Sequence, residues 1–273
     1  MFAKINHVAI VSENYAKSAL FYQAVFGMRT SDKTQTSRAQ TVGDGYVGLN
    51  INPRRAGRSA GLDHFGIEVE DAETAFERMR RKYPTVKWLQ RPSNRPFAGV
   101  STHDPDGNMF DISQKTMTNR TSVYRDQEGN GEVNARHIDH VALRTMRPDA
   151  MAEFYRDVFE LAPSNKAAGA ADRNHYLTDG HMTLVIMPWD ITDYDGTGII
   201  TAGMDHIGFK VESVEKLKED VERIAANNPL LAPAPVGTGA EGKKLLELFR
   251  RSCPLGQHHL ADCDGVLIDV AAD

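Results

Sequence analysis

The amino-acid sequence predicts an α+β fold assembled from four βαβββ-like modules, arranged as two tandem copies of a two-module unit. Three pairs of matching segments carry that expectation. Residues 7–28 (HVAIVSENYAKSALFYQAVFGM) match residues 140–161 (HVALRTMRPDAMAEFYRDVFEL) at an offset of 133. Residues 61–71 (GLDHFGIEVED) match residues 203–213 (GMDHIGFKVES) at 142, and residues 104–112 (DPDGNMFDI) match residues 262–270 (DCDGVLIDV) at 158. The pairs recur in the same order, and the growing offsets mean insertions in the second copy.

Within each copy the elements follow from local pattern. Residues 5–11 alternate as a strand bearing His7, and residues 15–26 have the apolar spacing of a helix, with Phe21, Tyr22 and Phe26 on its core face. A second histidine strand, residues 62–69 with His64, runs into an amphipathic helix at residues 72–83. The Asp104-Pro105-Asp106-Gly107 turn then leads into a strand with Asp111 at its middle. The second copy repeats this with His140, a helix bearing Phe154, Tyr155 and Phe159, His206, and Asp269. One of its insertions, residues 240–251, carries Leu245, Leu246, Leu248 and Phe249 and reads as an added helix. The domains are expected at residues 1–115 and 136–273, with a polar linker at 116–135.

Composition narrows the function. The chain has 273 residues, 41% hydrophobic and 25% charged, which suits a folded globular protein and not a disordered one. Its net charge of −5, without a long basic run, argues against a nucleic-acid partner. No stretch approaches a membrane span, and the first residues run into a strand with no apolar signal core. With only Cys253 and Cys263, spaced as no metal motif requires, both cysteines read as packing residues, and a cytoplasmic setting is expected.

Side chains two apart on a strand share a face. His7 therefore lies beside Ala9, His64 beside Gly66, His140 beside Ala142 and His206 beside Gly208. Space next to each histidine builds the wall of a cavity where a core would be filled. A carboxylate inside a sheet is costly unless paired or bound to metal. Two histidines and one carboxylate on strands form the facial triad of divalent-metal sites with open positions. His7, His64 and Asp111 make one candidate set; His140, His206 and Asp269 make the other.

The (D/N)HVA(I/L) strand, the FYxxVF helix, the GxDHxGxxVE strand and the DPDGNxxD/E turn-strand together resemble the vicinal oxygen chelate superfamily. That superfamily includes glyoxalases, fosfomycin and bleomycin resistance proteins, epimerases and extradiol dioxygenases. The resemblance covers nearly the whole chain and implies two glyoxalase-like domains, each with the metal-ligand positions named above. Both copies depart from the family in carrying Asp where Glu is usual. The two-domain length is similar to that of extradiol dioxygenases, which implies a working C-terminal site with Fe(II) favoured and Mn, Ni, Zn or Mg as alternatives. In that scheme His259, ten residues before Asp269 where the family has tyrosine, and His181 would handle the proton. The expected partner is a small molecule with adjacent oxygens, such as an aromatic diol, and homo-oligomers are known among such folds. A non-redox lyase or isomerase and a metal-free binding protein are the alternatives.

Overall fold

The computed structural model describes residues 2–30, 39–91, 97–114, 116–117, 133–166, 172–199, 202–253 and 255–273. The linker expected at 116–135 lies largely outside the described residues. The first half runs β1 (Ala3–Ser12), α1 (Tyr15–Phe26), β2 (Arg29–Thr30), β3 (Gln40–Gly43), β4 (Gly48–Pro53), β5 (Gly61–Val69), α2 (Ala72–Lys82), β6 (Trp88–Gln90), β7 (Val100–His103) and β8 (Met109–Ser113). The second half runs β9 (His137–Thr145), α3 (Pro148–Phe159), β10 (Ala162–Pro163), β11 (His175–Thr178), β12 (Thr183–Pro188), α4 (Ile191–Tyr194) and β13 (Gly203–Val211). It ends with α5 (Val214–Asn227), α6 (Gly239–Ser252), β14 (His258–Ala261) and β15 (Leu267–Ala272). The added helix foreseen at 240–251 is α6.

Each half forms one mixed sheet. The first has the order β2-β3-β4-β1-β5-β8-β7-β6, the second β10-β11-β12-β9-β13-β15-β14. The two histidine strands of each half pair antiparallel at the sheet centre, and the carboxylate strand adds parallel beside them. The α+β class and the modular order therefore hold.

Helix boundaries follow capping chemistry. The Asn14 side chain accepts from Lys17 N at the start of α1, and Gly27 ends it with φ +67°, a conformation a Cβ disfavours. Asp71 caps α2 by accepting from Glu73 N and Thr74 N. Trp88 stacks on Phe76 of α2 at 5.0 Å and does not line the cavity described below. No helix among the described residues is long and apolar enough to cross a membrane.

The two halves share one continuous apolar core, in which Phe26 of α1 stacks on Phe209 of β13 at 3.9 Å. Two recurrent motifs meet across that core. The Tyr22 hydroxyl donates to Asp262 Oδ2 and the Tyr155 hydroxyl to Asp104 Oδ2, each at 3.1 Å. The helix tyrosine of one half is thus bound by the first aspartate of the other half's turn. Each aspartate also accepts two backbone N–H groups of its own turn, so its carboxylate is held from both sides. The hairpin aspartates are reciprocal as well: Ile5 N donates to Asp179 Oδ2 and Ile138 N to Asp44 Oδ2. Tyr22→Phe is expected to cost about 1–3 kcal/mol, because it leaves a buried carboxylate short of a donor. A urea midpoint unchanged from the parent protein would refute that role.

Candidate metal centres

Strand register brings each candidate triad together. On β1, β5 and β8, His7, Gly66 and Asp111 form a row of register partners, with His64 opposite Ala9. On β9, β13 and β15, His140, Gly208 and Asp269 form the same row, with His206 opposite Ala142. The small residue beside each histidine therefore serves the histidine of the neighbouring strand. A Cβ on Gly66 would stand 2.0 Å from His7 Cε1, and one on Gly208 would stand 1.8 Å from His140 Cε1. The rings lie directly across these glycines.

Each imidazole is aimed by the residue just before it. Asn6 Oδ1 meets His7 Nδ1 at 2.9 Å, and Asp63 Oδ2 meets His64 Nδ1 at 2.8 Å. Asp139 Oδ2 meets His140 Nδ1 at 2.9 Å, and Asp205 Oδ1 meets His206 Nδ1 at 2.7 Å. An acceptor on Nδ1 fixes the proton there and turns a bare Nε2 toward the shared centre, as metal-ligating histidines require. Sequence reasoning missed these four residues, although an Asn or Asp precedes every strand histidine of the two sets.

The ligand atoms of His7, His64 and Asp111 all lie within 4.8 Å of one another. His64 Nε2 is 3.2 Å, and His7 Nε2 3.9 Å, from Asp111 Oδ2. Burial opposes charge on His64, but Asp111 and Asp63 outweigh it and raise its pKa to about 9. Burial likewise acts against the Asp111 carboxylate, yet His64, His7 and the Ser101 hydroxyl bring it down to about 2. This centre forms one wall of a cavity of about 580 Å³ whose lining includes Tyr15, Asn50, Arg54, Arg55, Arg58 and Arg91. Phe97 stacks on His7 at 4.9 Å and gives the cavity an apolar surface.

The second set is closed. His140, His206 and Asp269 are joined by Cys253, which follows α6, and no member is more than 3% exposed. Cys253 is buried as the sequence suggested, and its thiol lies beside the three candidate ligand side chains. Burial raises the pKa of its thiol, while His206 and His140 outweigh this and lower it to about 6. Phe249 of α6 covers the rings of His206 and His259 at 4.6 and 4.7 Å.

The two residues expected to move protons are separated. His259 is the register partner of Asp269, with Nε2 3.4 Å from Oδ1, and neither atom makes a hydrogen bond. His181 sits in the turn before β12, against Tyr46 of the other half at 4.1 Å and His137 at 5.6 Å. The geometry does not bring it to the second set. His175 pairs with Asp149, and His103 with Lys87 N and the Asp104 carbonyl.

Both donor sets fit a divalent cation. They present imidazole nitrogen and carboxylate oxygen converging on one point, and Asp269 Oδ1 is a buried anionic atom that lacks any donor.

A family model described as Glyoxalase/Bleomycin resistance protein/Dioxygenase superfamily matches residues 4–112 and 137–270. The chain is similar to a manganese-dependent 2,3-dihydroxybiphenyl 1,2-dioxygenase of Geobacillus genomosp. 3, with 27% identity over 172 residues. That match covers 57% of this chain and 52% of the relative, so the chain spans about half of that protein's length. Among solved structures, the Mn(II)-bound glyoxalase from Novosphingobium aromaticivorans superposes with a TM-score of 0.63 at 14% identity, covering 99% of this chain and 82% of that one. The 2,3-dioxygenase LapB from Pseudomonas sp. KL28 gives 0.62 at 14% identity, covering 99% and 92%. At such identities these two likenesses speak to the fold.

Proposed function

The chain belongs to the glyoxalase/bleomycin resistance protein/dioxygenase superfamily, and from that premise we propose that it is a metal-dependent, extradiol-type ring-cleaving enzyme working at His7, His64 and Asp111. The observation that carries this reading is the cavity of about 580 Å³ opening onto that triad. It has the size of a small-ligand site. The other triad lies under α6, so the reading departs from the C-terminal site favoured by the sequence. It also leaves His259 and His181 without the proton-handling role expected of them.

A divalent cation held by the two Nε2 atoms and the Asp111 carboxylate would supply a Lewis acid and a template for two adjacent substrate oxygens. The protein's own groups select the substrate. Four arginines line the cavity, with Arg54 paired to Glu13 and Arg58 to Asp63, and their fork-shaped cationic donors suit a carboxylate or another oxyanion on the ligand. Asn50 lies on the lining and adds a polar side chain beside the arginines. Tyr15 also borders the cavity and is not one of the triad's ligand residues. The Phe97 face offers an aromatic ring a surface to lie on. The substrate class that combines these features is an aromatic diol bearing an acidic side chain.

Oxygen uptake by protein purified anaerobically and reconstituted with Fe(II) or Mn(II) tests the proposal across neutral and carboxylated catechols. Carboxylated catechols are expected to consume oxygen and yield a ring-opened product. Arg91→Ala is expected to raise KM for them about tenfold, equivalent to ~1.4 kcal/mol, with little change for neutral catechols. Equal loss on both classes would remove Arg91 from anion recognition. The arginine-rich lining also favours a second reading, a lyase or isomerase acting on an oxyanion-rich substrate. Turnover that is unchanged without oxygen would select it. Full-strength ligand binding after exhaustive chelation would overturn both and leave a binding protein.

A further inference from the structure

We propose that Cys253 completes a second, closed metal centre with His140, His206 and Asp269, and that this centre holds a zinc-class cation for structure and not for turnover. Four donors about 2.0–2.3 Å from one tetrahedral ion stand about 3.3–3.8 Å apart. His140 Nε2 lies 3.3 Å from His206 Nε2 and 3.6 Å from Asp269 Oδ2, and Cys253 Sγ lies 4.0 Å from Asp269 Oδ2. Two of these spacings fall in the tetrahedral range, the sulfur–oxygen one is slightly wider, and all four ligand atoms lie within 4.8 Å of one another, so a small inward movement of the thiol completes the set. Imidazole nitrogen, thiolate sulfur and carboxylate oxygen are each zinc donors, and a site with all four positions filled by protein is a structural one, whereas working sites keep one position for water or substrate.

The side chain that closes the centre is held in place. The Arg144 Nη2 donates to Ser252 Oγ at 2.8 Å, and Asn174 Nδ2 donates to the Ser252 carbonyl at 2.7 Å. Arg144 Nε also donates to Asp205, the residue that aims His206. One buried arginine therefore locks the residue before Cys253 to the support of the facing ligand. On the opposite side, a Cβ on Gly256 would stand 1.6 Å from Asp269 Oδ1, so the chain after Cys253 closes directly over the carboxylate. The cysteine follows α6, an element without a counterpart among the described residues of the first half, where the equivalent triad stays open to its cavity. An inserted helix has turned one of two duplicated open triads into a sealed four-donor centre.

Cobalt(II) replacement in the metal-depleted full chain tests this without reference to activity. A thiolate-to-cobalt charge-transfer band in the near ultraviolet is expected in the parent protein and in Cys263→Ala. It should persist in His64→Ala, where the open triad is broken, and vanish in Cys253→Ala and Cys253→Ser. Zinc is expected to raise Tm in the parent and in His64→Ala, with most of that rise lost in Cys253→Ala. The Tm of metal-depleted Cys253→Ala, compared with the metal-depleted parent, separates loss of metal from failure to fold. Cobalt bound without a thiolate band, a band that survives Cys253→Ala, or no uptake beyond the first triad would each overturn the proposal. Because the band reports only on the cysteine, a failed oxygenase assay leaves this result standing.

Discussion

His64→Ala is expected to abolish turnover, and His206→Ala to leave turnover per folded chain intact while lowering Tm. The two histidines occupy matching places in the duplicated strands, so the contrast isolates what differs between the centres. His64 borders the cavity and its Nε2 lies 3.2 Å from Asp111. Losing it removes one of three donors, and the loss of transition-state stabilisation is expected to be at least about 10²–10³-fold in kcat. His206 is fully buried beneath Phe249 and beside Cys253. Its removal leaves a cavity and an incomplete donor set, expected to cost about 2–4 kcal/mol and to release one metal ion. Steady-state kinetics normalised to folded protein, with metal counted in each variant, decide the matter. The reverse pattern would return the working centre to the second half and make α6 a lid that has to open.

The duplication was legible because its segments keep their spacing: fourteen residues separate His7 from Phe21 and His140 from Phe154. The triads were legible because strand alternation set each histidine beside a small residue and the same three elements recur in both copies; the registers then bring His, Gly and Asp into one row. The residues that aim the histidines were not, and the reason is physical. Strict alternation sends the neighbour of an inward side chain to the opposite face. Here the registers skip Asn6, Asp63, Asp139 and Asp205, so each is the extra residue of a β-bulge. A bulge breaks alternation and re-aims side chains, which lets each of these residues reach the Nδ1 of the histidine after it. The closure of the second centre was illegible for another reason. The apolar positions of α6 forecast a helix but not which surface it would cover. Cys253 stands sixteen residues before Asp269, in no metal spacing that a chain pattern would reveal.

Gly66→Ala is expected to strip the open triad of its metal while the chain still folds, at a modest loss of stability. The strand conformation at Gly66 is open to any residue, since its φ is not positive. Its neighbours Phe65 and Ile67 would keep their places in the core. What the added methyl meets is the His7 ring, at 2.0 Å from Cε1 and 2.3 Å from Nδ1, well inside contact distance. Rotating that buried ring away gives up its stack on Phe97, an overpacking cost of about 1–3 kcal/mol to the fold. For a metal the cost is larger. The same rotation pulls Nδ1 off Asn6 Oδ1 and turns Nε2 away from Asp111. Disturbing the support of a ligand typically costs 10–100-fold in affinity, and displacing the ligand itself should cost about 100-fold or more. Isothermal titration with Mn(II), alongside a thermal melt of the metal-free protein, reads both halves of the prediction. A variant with parental affinity would show that His7 is not held across Gly66, and that the small residues beside the histidines serve the sheet alone.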